Sequence, residues 1–163
     1  GRVGVFSHGL AGDLARLDFG ERGMIAGDLL RYLPLALERL ASVALPAGNG
    51  LRKIGRAQII ELCDQTLNLV VTTGGTGLGP RDVTPEAIRP LLEKEAEGLA
   101  ELMRLRGLEK TDFASLSRSL AGVRKETLIL ALPGSPKGAT ESLEAVIKLL
   151  THTIDLIEGR TKH

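Results

Sequence analysis

Residues 67–79, LNLVVTTGGTGLG, constrain this chain more than any other stretch. The run from Leu67 to Thr72 is apolar on both faces toward its end. A strand of that kind needs cover on both sides of its sheet, which is the setting of a parallel sheet. Four glycines follow within residues 74–79, in a chain with 20 glycines among 163 residues. A strand that runs into a glycine-rich turn and then a helix is the ligand-binding edge of an open α/β sheet.

The rest of the chain supports that class. Val3 to Phe6 reads as a buried strand, and Ser7 to Gly27 as a glycine-rich loop. Leucines at 29, 30, 33, 37 and 40 predict a helix over Asp28 to Ser42, broken at Pro34. Val43 to Leu45 is a weak strand signal. Gly55 to Thr66 is an amphipathic helix with Ile59, Ile60, Leu62 and Cys63 toward the core. Thr84, Pro85 and Glu86 have the chemistry of an N-cap and first turn, which predicts a helix from Pro85 to Glu97. Further helices are expected over Leu99 to Arg106, Phe113 to Ser119 and Ala139 to Ile157. Thr127 to Leu132 is the last strand. The alternation predicts an α/β three-layer sandwich, a mostly parallel sheet flanked by helices. Residues 1–158 form one domain on this reading, and 159–163 a tail.

Composition removes several classes of function. The net charge is +1 with the signs interleaved, a poor footprint for nucleic acid. The four aromatics, Phe6, Phe19, Tyr32 and Phe113, are too scattered for a base-stacking platform. No run approaches 18 apolar residues, so no membrane helix is expected. One cysteine permits neither an internal disulfide nor a cysteine zinc site. The expected compartment is the cytoplasm.

Chemistry concentrates in two loops. Thr73-Gly74-Gly75-Thr76-Gly77 offers tight turning, close approach to an anion and hydroxyl donors. It is not a P-loop, because no Gly-Lys-Ser/Thr follows, and Pro80 stands where GxGxxG needs its last glycine. A bare turn would not need three glycines and two threonines. Pro133-Gly134-Ser135-Pro136-Lys137-Gly138 is the second loop, with Lys137 able to pair with a phosphate. Asp82 reads either as a Mg²⁺ ligand beside a phosphate or as a helix-start carboxylate. Ser117-Arg118-Ser119 reads either as a site or as a surface cluster. His8, His152 and His163 lack metal-ligand spacing, and Cys63 reads as inert core.

TTGGTGLGPRDVTPEAIRPLLEKEAEGLAELMR, FASLSRSLAGVR and TLILALPGSPKGATESLEAV resemble the signature segments of the molybdopterin adenylyltransferase family, the molybdopterin-binding domain also found in gephyrin-like proteins. The resemblance is dense over residues 67–158 and looser over 1–6. It implies a homotrimer that binds molybdopterin and, with Mg-ATP, transfers AMP to the molybdopterin phosphate. A molybdate-insertion protein would be a partner. By position, Thr73, Gly74, Gly75, Thr76 and Gly77 would cradle the molybdopterin phosphate, and Asp82 would serve catalysis through Mg²⁺. Ser117, Arg118, Pro133, Gly134, Ser135 and Lys137 would line the pterin and nucleotide pocket. Ser7 would bind nucleotide.

The N-terminal third departs from that pattern. Most relatives follow the first strand with Ser-Asp, and here it is Ser7-His8; Leu45-Pro46 is followed by Ala47-Gly48 where many carry an acidic residue. Asp13, Asp18 and Asp28 are the carboxylates available instead. The alternative function is therefore a non-catalytic molybdopterin-binding module, and a third is a binder of another phosphorylated small molecule.

Overall fold

The sheet has six strands in the order β1-β2-β3-β6-β5-β4. They are β1 (Gly4–Ser7), β2 (Arg39–Ala44), β3 (Leu69–Thr73), β4 (Lys94–Glu95), β5 (Leu120–Arg124) and β6 (Thr127–Leu132). The computed structural model describes the backbone of residues 4–7, 39–44, 51–65 and 67–160, and within these the side chains from residue 56 onward. Strands β2, β3 and β6 are parallel neighbours. β5 pairs antiparallel with β6, and β4 antiparallel with β5, so β4 points the same way as the central three. Only β1 and β5 run against them, β1 antiparallel to β2.

Four α-helices are described: α1 (Leu51–Asp64), α2 (Thr84–Ile88), α3 (Glu97–Leu108) and α4 (Pro136–Ile157). Successive strand side chains point to opposite faces, and this alternation builds the three layers. Leu69, Val71, Leu128 and Leu130 join one core cluster with Met103 of α3 and Leu143, Val146 and Leu150 of α4. Val70, Ile129 and Ala131 join the other, with Ile59, Leu62 and Cys63 of α1 and Ile88 of α2. Leu128, Ile129 and Leu130 have no exposed surface. Truncating any one of them to alanine in such a core costs about 2–5 kcal/mol.

Three sequence expectations are corrected. The leucine pattern does not make a helix over residues 39–42, because those residues belong to β2. Pairing with β1 and β3 outweighs the helix preference of Arg39, Leu40 and Ala41. The remainder of that expected helix, with Pro34, lies outside the described residues, as does the loop after Ser7. The expected helix from Pro85 to Glu97 stops at Ile88 and passes through a 3-10 turn (Arg89–Leu91) into β4. Pro90 has no N–H to give the Glu86 carbonyl. Arg56 of α1 supplies donors instead, Nη2 to Glu86 O at 2.8 Å and Nε to Ala87 O at 3.1 Å. Strand β5 was not expected beyond an apolar Val123, because Ala121 and Gly122 are weak strand formers. Gly122 is needed there, since a Cβ would lie 2.8 Å from the Lys94 carbonyl oxygen on the neighbouring strand.

Candidate functional site

The topology brings three segments to one edge of the sheet. β3 and β6 are paired in register up to Thr73 and Leu132, so the loops after both emerge side by side. β5 runs the other way and begins opposite the end of β6, Leu120 beside Ala131. Ser117, Arg118 and Ser119 therefore enter at the same edge.

The loop after β3 is held by its carbonyls. Gly74 and Gly75 have φ of 91° and 67°, a region that favours glycine. The Gly74 carbonyl accepts the Thr84 hydroxyl at 2.8 Å, and the Gly75 carbonyl accepts the Thr84 N–H at 3.0 Å. The Thr76 carbonyl accepts the Arg118 N–H at 2.7 Å, and the Gly77 carbonyl accepts Arg118 Nε at 2.8 Å. The Gly79 carbonyl accepts the Asp82 N–H at 2.9 Å. Among the described residues, no protein acceptor meets the N–H groups of Gly75, Thr76, Gly77 or Leu78. Four successive donors without acceptors, beside engaged carbonyls, make a donor-rich stretch of backbone of the kind that binds anions.

Several sequence-predicted residues take roles other than those expected. Thr84 is the first helical residue rather than the N-cap, and Val83 precedes it without a side-chain cap. The Thr84 hydroxyl ties down the glycine loop instead. Helix α2 has only five residues and starts well after β3 ends, so the loop's own N–H groups supply the donors. Asp82 Oδ2 accepts the Gly79 N–H at 2.9 Å and closes the turn. Arg118, expected on the ligand, has its guanidinium on the loop and on Glu86: Nη2 donates to Asp82 O at 2.6 Å, and Nη1 pairs with Glu86 Oε1.

The second loop packs on the first. The Gly74 N–H donates to Leu132 O at 3.1 Å, and a Cβ on Gly134 would lie 3.1 Å from Gly74 Cα. Ser135 is the N-cap of α4, its Oγ accepting the Gly138 N–H at 3.2 Å, with Pro136 in the first turn. Lys137 is 81 % exposed and only 4.0 Å from Glu141. It extends into solvent rather than over either loop's backbone.

A cleft of about 180 Å³ is bordered by the second loop, with Ser117, Pro133, Ser135 and Gly138 in its lining together with Met103 and Phe113; no residue of the loop after β3 lines it. Ser117 Oγ is 2.8 Å from Ser119 Oγ. Phe113, on the 3-10 turn Asp112–Leu116, is 79 % exposed. Met103, Phe113 and Glu141 were not foreseen as lining, because they come from helices and a short turn that no motif marks. Phe113, one of four aromatics in the chain and four residues before Ser117, was the available signal. A wider groove of about 630 Å³ lies against α3 and includes Arg89, Glu97 and Leu105. Of the sequence-predicted residues its lining holds only Ser119, and the two glycine loops do not border it.

Ser7 is not brought to this edge. β1 is antiparallel, and Ser7 pairs with Arg39 at the start of β2, whereas Ala44 at its end pairs with Thr73. About 16 Å of strand separates the two ends, at the usual rise per residue, so Ser7 lies at the other end of β2 from the two loops. His8, Asp13, Asp18, Asp28 and Ala47 lie outside the described residues. No group of three or more His, Cys, Asp or Glu able to hold a metal occurs among the described residues.

Residues 49–152 match the model of a probable molybdopterin binding domain. The chain is 45 % identical over 109 residues to a molybdopterin adenylyltransferase of Helicobacter pylori, a match covering 66 % of this chain and 62 % of that protein. It is 49 % identical over 94 residues to gephyrin of Dictyostelium discoideum, covering 58 % of this chain and 13 % of gephyrin. The chain thus spans under two thirds of the length of these relatives. Among solved structures, it resembles the molybdopterin biosynthesis enzyme MoaB of a Thermus species at 57 % identity and a TM-score of 0.63, covering 66 % of this chain and 69 % of the other. It resembles a MogA structure at 31 % identity and a TM-score of 0.70, covering 86 % and 89 %.

Proposed function

Because the chain belongs to the molybdopterin-binding domain family, we propose that it binds molybdopterin and adenylylates it. The carrying observation is the run of four N–H donors at Gly75 to Leu78, set against five carbonyls already engaged by the protein. That polarity suits a phosphate. The neighbouring cleft joins the hydroxyls of Ser117 and Ser119 to the apolar surfaces of Met103 and Phe113, which suits a flat, polar-edged pterin. Relatives named molybdopterin adenylyltransferase support the reaction.

In that reaction an oxygen of the molybdopterin phosphate attacks the α-phosphorus of ATP. The bond from that phosphorus to the bridging oxygen breaks, and pyrophosphate leaves. Such a transfer depends on positioning and charge neutralisation and needs no protein nucleophile. Asp82 is the candidate Mg²⁺ ligand. Its carboxylate takes one protein donor, the Gly79 N–H, on Oδ2. Mg²⁺ commonly uses one or two carboxylates and completes its shell with water and phosphate oxygens. When bound, it would neutralise charge on the ATP phosphates.

The same reading assigns the chain to the cytoplasm and to a homotrimer that hands its product to a molybdate-insertion protein. Exposed Leu105, Leu108 and Leu116 support a subunit contact on that side. Among the described residues no helix is long and apolar enough to cross a membrane.

Incubation with molybdopterin and Mg-ATP tests the proposal. Adenylylated molybdopterin and pyrophosphate should appear in equal amounts. Molybdopterin binding without product would favour the non-catalytic module, the reading that the distance of Ser7 from the loops supports. Tighter binding of a simple nucleotide than of molybdopterin would favour the third reading.

A further inference from the structure

We propose that Arg118 is a positioning residue, which holds the glycine loop in its donor-presenting form and does not itself carry the ligand's charge. This rests on the phosphate-cradle reading above. Arg118 meets the loop at three points: its N–H on Thr76 O (2.7 Å), Nε on Gly77 O (2.8 Å) and Nη2 on Asp82 O (2.6 Å). These contacts span the loop from its buried beginning to its return at Asp82.

Apart from the turn that Asp82 closes on Gly79, the middle of that loop has no other tie among the described residues. Leu78 is 69 % exposed and Gly79, Pro80 and Arg81 are exposed, so apolar packing does not fix them. Glycines at 74, 75, 77 and 79 leave the backbone wide freedom when it is not tied. A loop of that kind would lose entropy on closing around a phosphate. Anchoring its carbonyls to a rigid fork removes that loss before the ligand arrives. The three carbonyls are turned onto Arg118, and the N–H groups of Gly75, Thr76, Gly77 and Leu78 stay available.

The charge balance points the same way. Nη1 pairs with Glu86 Oε1, and Nη2 lies 3.4 Å from Oε2 of the same carboxylate. Glu86 is in the first turn of α2, so the clamp also couples the loop to that helix. The guanidinium is neutralised by a protein carboxylate and its fork lies on protein acceptors. A lysine keeps the charge and cannot reproduce the fork. This separates positioning from direct charge recognition.

The test compares Arg118→Lys, Arg118→Ala and Glu86→Gln. Affinity for molybdopterin is read by calorimetry, and backbone order at Gly75 and Gly77 by nitrogen-15 relaxation of the free protein. Arg118→Lys should bind about tenfold or more weakly, close to Arg118→Ala, because two charge-assisted bonds to the loop are lost in both. Glu86→Gln should weaken binding in the same direction. Order parameters at Gly75 and Gly77 should fall toward the flexible range, below about 0.6, in both Arg118 variants. Millimolar ethylguanidinium should restore part of the affinity of Arg118→Ala. Binding by Arg118→Lys within about twofold of wild type, alongside loss in Arg118→Ala, would overturn the proposal in favour of a charge acting on the ligand. So would tighter binding by Glu86→Gln, or unchanged loop order in both Arg118 variants. If the wild-type protein binds no molybdopterin, the functional reading fails. The order parameters then decide the clamp by themselves.

Discussion

Gly134 and Gly74 meet backbone to backbone: a Cβ on Gly134 would stand 3.1 Å from Gly74 Cα. This contact makes the loops after β3 and β6 one body, with Gly74 N–H on Leu132 O beneath it. Gly134→Ala forces main chain apart, because neither neighbour is a flexible side-chain tip. The expected cost is about 1–3 kcal/mol, as for other overpacked sites, read as a lower urea midpoint. Gly98→Ala is the contrast. Nothing lies within 4 Å of its added Cβ, and the position is in α3. It should stabilise by about 0.5–1 kcal/mol.

The second prediction concerns Thr84, which is 4 % exposed and donates its hydroxyl to Gly74 O at 2.8 Å. Thr84→Val keeps the shape and removes the donor. The Gly74 carbonyl then loses that partner, at a cost of about 1–3 kcal/mol. Thr84→Ser retains the hydroxyl and should recover most of that loss. Chemical denaturation of the three proteins side by side checks both statements.

These residues also show what was legible in the sequence. Apolar runs at 67–72 and 127–132 announced β3 and β6, since a strand buried on both faces has few alternatives. Glycines after β3 announced a tight loop, and β6 announced where the second loop would lie. Thr84 was visible as a polar residue at a helix start, but its partner was not. An N-cap and a loop staple require the same residue type, and only the fold decides which carbonyl or N–H lies within reach. Arg118 was legible as part of the site and illegible as a clamp for the same reason, since its bonds reach back to Thr76, Gly77 and Asp82, far along the chain. β1 was found as a strand, but its direction was not encoded in a local apolar pattern, and only the antiparallel pairing puts Ser7 beside Arg39 at the start of β2.

A third prediction concerns pH. Cys63 is 1 % exposed, and burial pushes its thiol above the ordinary range, partly opposed by a hydrogen bond with Thr127. The folded protein therefore holds a proton that the unfolded chain releases first. The resulting stability is present below the unfolded thiol's pKa, about 8.5, and is lost as pH rises through the higher folded value. Unfolding free energy should decline as pH rises above the unfolded thiol's value, and Cys63→Ala should remove part of that decline. A decline identical in both proteins would mean that other groups, such as lysines, account for it. Cys63 should also react with a thiol reagent at neutral pH only as fast as the protein opens.

The last prediction separates two roles of Asp82. Its carboxylate closes the loop by accepting the Gly79 N–H at 2.9 Å, and under the proposed reaction it also holds Mg²⁺. An asparagine side-chain oxygen can accept the same N–H, so Asp82→Asn keeps the turn. It lacks the negative charge that a hard cation selects. Turnover should therefore fall about a hundredfold, in the range typical for losing one electrostatic contribution to a transition state, while molybdopterin affinity stays within about twofold. Asp82→Ala loses the turn as well. Its affinity should drop with its turnover, because the Gly79 N–H then has no side-chain acceptor and the turn keeps only the residue-82 N–H on Gly79 O. Single-turnover rates and calorimetric affinities for the two variants distinguish the roles. Equal loss of affinity in both would assign the charge of Asp82 to the loop itself rather than to the metal.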